Sequence, residues 1–244
     1  MRNLNLNNTY YETRDKNFNE ALKLLEKEFS HSELILMLKT GNIPQKQFAA
    51  LQINTITSKE DAMTLLKNLT GQDGKVREAV SLKIKELVSN TDYFIFFNSI
   101  DVNELSEIFL AAIIDIIGNI CRNILDTVVY FRDNDNFINL FTEKLINLIF
   151  TLLDKVKDFD LQDGKYKINK ELFKLYWCLE AVNIYYDKIS PDILKKIVNI
   201  TKSVEEYTIR EKTAKILSNP TDDEDLLKIK SELKNDKNYY VRRI

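Results

Sequence analysis

The chain has 244 residues, of which 30% are charged and 44% hydrophobic, with five Gly, three Pro, two Cys, one His and a formal net charge of −2. One His and two Cys exclude a zinc finger, a Cys-rich secreted scaffold and a His-rich metal centre. So little Gly and Pro leaves an all-β sandwich or barrel without its turn residues, and a Rossmann or P-loop domain without its phosphate-binding glycines.

The near-neutral total hides an asymmetry. Residues 1–90 hold 13 Lys/Arg against 11 Asp/Glu, residues 91–150 hold 3 against 9, and residues 151–244 hold 19 against 17, so the middle is acidic. Cys121 and Cys178 form no CxxC and read as reduced thiols of a cytoplasmic protein. The N-terminus, Met1-Arg2-Asn3-Leu4, lacks the apolar core of a signal peptide. The apolar stretch Phe109 to Phe131 contains Asp115, Arg122 and Asp126, and Phe137 to Leu153 contains Glu143 and Lys144, so neither is expected to cross a membrane.

Helical periodicity runs from end to end and predicts an all-α chain. In the first third the expected helices are 17–28, 31–40, 44–56, 58–70, 74–89 and 92–99, the first with Phe18, Ala21, Leu22, Leu24 and Leu25 along one face. In the middle they are 103–116, 118–132 and 135–158. A polar loop at 157–167 is the one candidate boundary inside the chain, and residues 1–16 read as a poorly ordered or capping arm. The last third holds 168–187, 190–202, 204–218, 222–235 and a helix from 238 onward. Helix starts are marked at Ser58-Lys59-Glu60-Asp61, at Ser190-Pro191-Asp192, and at Thr221-Asp222-Asp223-Glu224, the last in capping-box form.

One short phrase opens three of these helices: Asp73-Gly74-Lys75-Val76-Arg77, Glu206-Tyr207-Thr208-Ile209-Arg210 and Asn238-Tyr239-Tyr240-Val241-Arg242. Each has a polar capping residue, two variable residues, a β-branched aliphatic and an arginine. Arg210 and Arg242 are separated by one period in the low thirties, and Arg77 and Arg210 by close to four such periods. A period of that length is a repeating supersecondary unit. Ile43-Pro44 lies one period before Val76-Arg77 and is a weaker copy. The chain stops one turn into the last helix, which suggests a longer natural protein.

In these phrases the sequence resembles the HEAT-repeat (armadillo-like) family, whose units are antiparallel helix pairs with an Asp-x-x-Val-Arg phrase opening the second helix. The resemblance implies a single α-solenoid domain over 1–244, a right-handed superhelix of about six pairs, and a concave surface that binds protein or nucleic acid. It also implies ladder roles between neighbouring repeats for Asp73 and Arg77, Glu206 and Arg210, and Asn238 and Arg242. Residues 91–189 lack the phrase and read as degenerate repeats or an inserted bundle.

Catalytic patterns find little support. His31, in Ser30-His31-Ser32-Glu33, has no companion motif and reads as a surface or capping residue. Asp158 to Gly164 fails the register of a calcium loop. Tyr176-Trp177 and Glu180 share a helix that reads first as a core helix whose aromatics fill space between repeats, and otherwise could present a binding anchor. They also invite comparison with HEAT-like alkylpurine DNA glycosylases, which use Trp and a carboxylate on a basic surface, but one Trp and an acidic middle do not match that pattern. A lyase-like role, as in HEAT-like proteins of phycobilin metabolism, has no residue to support it. Asp115 and Asp126, with Arg122 one turn before Asp126, read as an inter-helix charge group. Together with Asp133 and Asp135 they would otherwise favour a basic segment. The expectation is a non-enzymatic scaffold for a protein or peptide partner, without metal, cofactor, nucleic acid or membrane.

Overall fold

The computed structural model describes residues 16–157 and 165–244. The expected arm and the Asp158–Gly164 turn therefore lie outside the described residues, apart from residue 16. All regular structure among the described residues is helical, with fourteen α-helices and no strand. The chain divides into two compact units between Asp101 and Val102.

The first unit holds α1 (16–25), α2 (His31–Thr40), α3 (Ile43–Gln52), α4 (Lys59–Leu66), α5 (Gly74–Val88) and α6 (Thr91–Asn98). α2 packs on α3 and α4, α3 on α5, and α4 on α6. The caps explain these starts. Ser30 with Glu33 and Asn42 with Gln45 form capping boxes, and the Ser58 side chain accepts from Asp61 N–H. Gly71 adopts φ 70°, the left-handed turn that brings the chain round into α5. Apolar side chains at helical spacing, such as Leu34 and Leu38, Ala62 and Leu66, and Val76, Val80 and Ile84, fill the core. On α1 the expected apolar face splits. Leu24 is buried and Ala21 half-buried, whereas Phe18, Leu22 and Leu25 are exposed and lie a quarter-turn or more round the helix from Leu24.

The second unit holds α7 (Val102–Ile113), α8 (Gly118–Val128), α9 (Asp135–Lys157), α10 (Lys165–Ile184), α11 (Pro191–Thr201), α12 (Tyr207–Ile216), α13 (Glu224–Leu233) and α14 (Tyr239–Arg242). α7 packs on α8 and α9, and α9 on α10. α10 packs on α12, α12 on α14, and α11 on α13. The start of α13 differs from the expected capping box: Asp223, not Thr221, accepts from Asp225 and Leu226 N–H, and Thr221 Oγ1 accepts from Asp223 N–H. A carboxylate next to the first turn is the stronger acceptor at the positive end of the helix dipole. Pro191 opens α11 as expected, but the Ser190 hydroxyl makes no capping bond.

Four periods between Arg77 and Arg210 would need eight helices after α5, up to and including α12. Seven are present among the described residues, and α9 and α10 are long, at 23 and 20 residues. The alternation of first and second helices therefore slips by one in the middle of the chain. Residues 135–156 are also long and apolar enough to cross a membrane by length and composition. In this unit their apolar face, with Phe137, Phe141, Leu145, Ile149 and Leu152, is buried. On α9, Lys144 Nζ donates to Asn103 Oδ1 at 2.6 Å and pairs with Glu107 at 2.7 Å.

An aromatic chain closes the core of this unit. Phe109, Phe131, Phe137, Phe141 and Tyr185 follow one another with ring centroids 5.0–6.1 Å apart. Tyr185 is fully buried, and its hydroxyl donates to Val128 O at 2.6 Å. Burial pushes that phenol above its ordinary range, so it remains a donor. Tyr185→Phe keeps the ring but leaves this carbonyl without its buried donor. It should lower unfolding free energy by about 1–2 kcal/mol in urea titrations; an unchanged midpoint would show that the carbonyl is satisfied without it.

Candidate functional site

The residues singled out in the sequence gather mainly on α10, α12 and α14, and their first use is to hold helices together. The three arginines of the repeated phrase make one contact in common. Arg210 Nη1 donates to Val204 O at 2.8 Å and Glu205 O at 2.7 Å, six and five positions earlier. Arg242 Nη1 donates to Asp236 O at 2.8 Å and Lys237 O at 3.0 Å, at the same two offsets. Arg77 Nη1 donates to Gln72 O, again five positions earlier. In each case the guanidinium folds back and satisfies carbonyls of the turn that delivers its own helix, groups that have no partner inside a helix.

The polar residues that open the phrase serve as caps. Asp73, Glu206 and Asn238 are N-caps, accepting from Lys75, Thr208 and Tyr240 N–H. The carboxylate that reaches Arg210 from the next helix pair is Asp236, which stands two positions before the cap Asn238. Arg210 Nε donates to Asp236 Oδ2 at 2.7 Å and Nη2 to Oδ1 at 3.1 Å, with both side chains almost buried. Position in the motif led to Glu206 and Asn238; the signal for Asp236 was an acid in the turn before a cap. The Arg210 guanidinium holds Asp236 below the ordinary carboxylate range.

One helix earlier, Glu180 of α10 plays the corresponding part. Its carboxylate lies 3.0 Å from Lys212 Nζ and 2.6 Å from Lys215 Nζ, both on α12. Burial alone would raise its pKa, but the bonds from Lys215 and Lys212 outweigh that and lower it. Lys212 Nζ also sits 4.3 Å from the Tyr176 ring centroid, and Asn219 donates to Asn183 at 2.8 Å between the same helices. Trp177 faces the other way. It is 6% exposed, packs edge-to-face with Phe173 and Tyr176, and carries the Arg122 guanidinium at 5.7 Å from its ring centroid. Arg122, expected to pair with Asp126, is thus placed over the indole.

The acidic middle splits by environment. Asp115 is half-buried, and its carboxylate accepts from Ile117 N–H at 2.9 Å ahead of α8. Asp126 is half-buried on α8, while Asp133 and Asp135 are exposed at the start of α9. Arg132, next to them in sequence, donates to Ile184 O at 2.8 Å and, at the surface, to the Asp187 carboxylate.

In the first unit the single histidine has a more defined place than a capping residue. His31 Nε2 lies 3.0 Å from Asp61 Oδ2 and so ties α2 to α4, while Asp61 also accepts from Thr57 N–H and Oγ1–H. Burial opposes the Asp61 charge, but the bonds from Thr57 and His31 prevail and lower its pKa. Cys121 and Cys178 are free and buried, and burial with the nearby Asp115 charge pushes Cys121 up to about 12. A thiol so protonated is a poor nucleophile. Among the described residues no group of three His, Cys, Asp or Glu is arranged to hold a metal ion.

By fold the chain is an all-α protein whose second unit is laced by charged side chains. No family model, no curated protein and no solved structure matches it.

Asp236 has a depressed native pKa, so its contribution is full above its unfolded pKa of about 4 and is lost as pH falls through the lower native value. The stability difference between wild type and Asp236→Asn should therefore be largest near neutrality and shrink below about pH 4. Denaturant titrations at stepped pH check this, and a pH-independent difference would contradict it.

Proposed function

We propose that this chain is a non-enzymatic, cytoplasmic protein-binding scaffold whose helix pairs stack in the manner of HEAT repeats. The partner contact lies at the α8–α9 junction and takes a basic segment. The observation that carries this reading is the placement of Arg132: it gives its charge to Asp187 and the Ile184 carbonyl, while Asp133 and Asp135 stay exposed beside it. Two exposed carboxylates whose neighbouring arginine is already engaged steer a cationic partner more than they stabilise the fold.

The glycosylase-type alternative draws less support. Trp177 is buried under Phe173 and Tyr176, and Glu180 is committed to Lys212 and Lys215. A base-binding indole beside a carboxylate that is free to act would need both groups at the surface. The two lysines that could attract phosphate are likewise spent on Glu180.

Affinity capture from lysate with wild type and with Asp133→Lys combined with Asp135→Lys tests the reading. Basic partners held by the wild type should be lost from the charge-reversed protein and recovered poorly at raised salt. An identical set of captured proteins would sink the proposal.

A further inference from the structure

Inside the second unit, Lys212 shows how this chain holds a cation against a helix. Its Nζ sits 4.3 Å from the centroid of the Tyr176 ring and 3.0 Å from the Glu180 carboxylate. Tyr176 and Glu180 stand one turn apart on α10, so ring and acid lie on the same side, about 6 Å apart along the axis. The negative face of the ring and the carboxylate then attract the ammonium together.

The α8–α9 junction presents a tyrosine ring and a carboxylate at the same spacing on its surface. After α8 the chain tightens to 3-10 form over Val129–Phe131, and bonds from Arg132 N–H to Val129 O and from Asn134 N–H to Phe131 O carry the tight winding past Asp133. Residues three apart eclipse in such a winding, at about 2 Å of rise each, so Tyr130 and Asp133 fall on one side about 6 Å apart. The Asn134 side chain then caps α9, accepting from Phe137 N–H at 3.1 Å, which fixes the end of the turn. Tyr130 is 46% exposed, and Asp133 is exposed beside it. Among the described residues no hydrogen bond reaches the Tyr130 hydroxyl, and no donor or cation reaches the Asp133 carboxylate. The three cations of residues 91–150 are engaged elsewhere: Arg122 lies over Trp177, Arg132 meets Asp187 and the Ile184 carbonyl, and Lys144 meets Glu107.

We propose that the α8–α9 junction takes the ammonium of a lysine from a partner protein between the Tyr130 ring and the Asp133 carboxylate, as Tyr176 and Glu180 take Lys212. This rests on the reading of the junction as a site for a basic segment and narrows it: the side chain that enters is named, and an aromatic ring joins the charge in recognising it. The occupied pair holds a compact ammonium, which points to lysine. Asp135 stands at the first position of α9, where its carboxylate also serves the positive end of the helix dipole, so it adds steering. A turn wound and capped in advance removes part of the ordering cost of binding.

Fluorescence anisotropy on the full chain at low salt tests this. The probes are a short labelled peptide of Lys, Gly and Ser, and the same peptide with every lysine acetylated, which keeps the stem and removes the charge. The lysine peptide should bind saturably and the acetylated one should not. Tyr130→Ala should weaken binding about two- to fivefold, the range of an exposed contact between a cation and a ring, and Tyr130→Phe should keep it. Asp133→Asn should weaken it by a similar factor. Far-UV circular dichroism of each variant verifies that its helices are kept. Full affinity in Tyr130→Ala or in Asp133→Asn, or a loss in Tyr130→Phe equal to that in Tyr130→Ala, would overturn the proposed contact. The basic-segment reading survives that result if Asp133→Lys combined with Asp135→Lys abolishes binding. No binding of the lysine peptide, equal binding of the acetylated peptide, or undiminished binding by the charge-reversed protein would overturn both.

Discussion

The arginine that folds back on its own turn is the constraint on which the rest of the second unit's C-terminal half depends. A helix that begins just after a tight turn leaves carbonyls pointing at nothing, and a buried, unsatisfied carbonyl costs about 1–3 kcal/mol. Arg210 meets that cost with Nη1 on Val204 and Glu205, and the same planar group has two more donors in a fixed fork. Because the first bonds set the plane of the guanidinium, the fork can reach only one direction, toward Asp236 in the turn of the next pair. A local turn and a long-range contact are thereby made by one side chain, and the one-period spacing of the phrase from Arg210 to Arg242 fits that geometry.

The other ion pairs fit around this contact. Glu180 accepts Lys212 and Lys215 between α10 and α12, Lys202 meets Glu232 between α11 and α13, and Lys195 lies 3.2 Å from Asp223 at the head of α13. The exposed pairs among these contribute little individually. Their common effect is on register: a helix pair shifted by one turn would strand several charges at once. Stranding the nearly buried Arg210 or Asp236 would be the costliest, since leaving such a charge without its partner is strongly destabilising.

Much of this was legible in the sequence, and the limits have physical causes. Helix existence followed from apolar spacing, while ends drifted by up to four residues: a last turn tightens to 3-10 form at Lys67–Leu69 and Val129–Phe131, and the helices expected over 44–56 and 103–116 stop early, at Gln52 and Ile113. The repeated Val-Arg phrase located the three braced turns. The identity of the bridging acid was not readable, because position in a motif does not reveal which of several nearby carboxylates lies in the plane of a guanidinium; Glu206 and Asn238 proved to be caps and Asp236 the bridge. The missing helix in the middle was hidden as well. A spacing near four periods is satisfied equally by eight short helices or by seven with two long ones, and only packing distinguishes them. Trp177 and Glu180 could be read as core or as surface anchor, because helical spacing gives a face but not what covers it. His31 on α2 could not be joined to Asp61 on α4 without the fold.

The central claim is that Arg210 couples its turn to the next helix pair through Asp236, and a double-mutant cycle tests it most directly. Unfolding free energies of wild type, Arg210→Lys, Asp236→Asn and the double variant should give a coupling of about 1.5–3 kcal/mol. Amide exchange should quicken chiefly in α13 and α14 in each single variant. A coupling near zero, with exchange in α13 and α14 unchanged, would contradict the account.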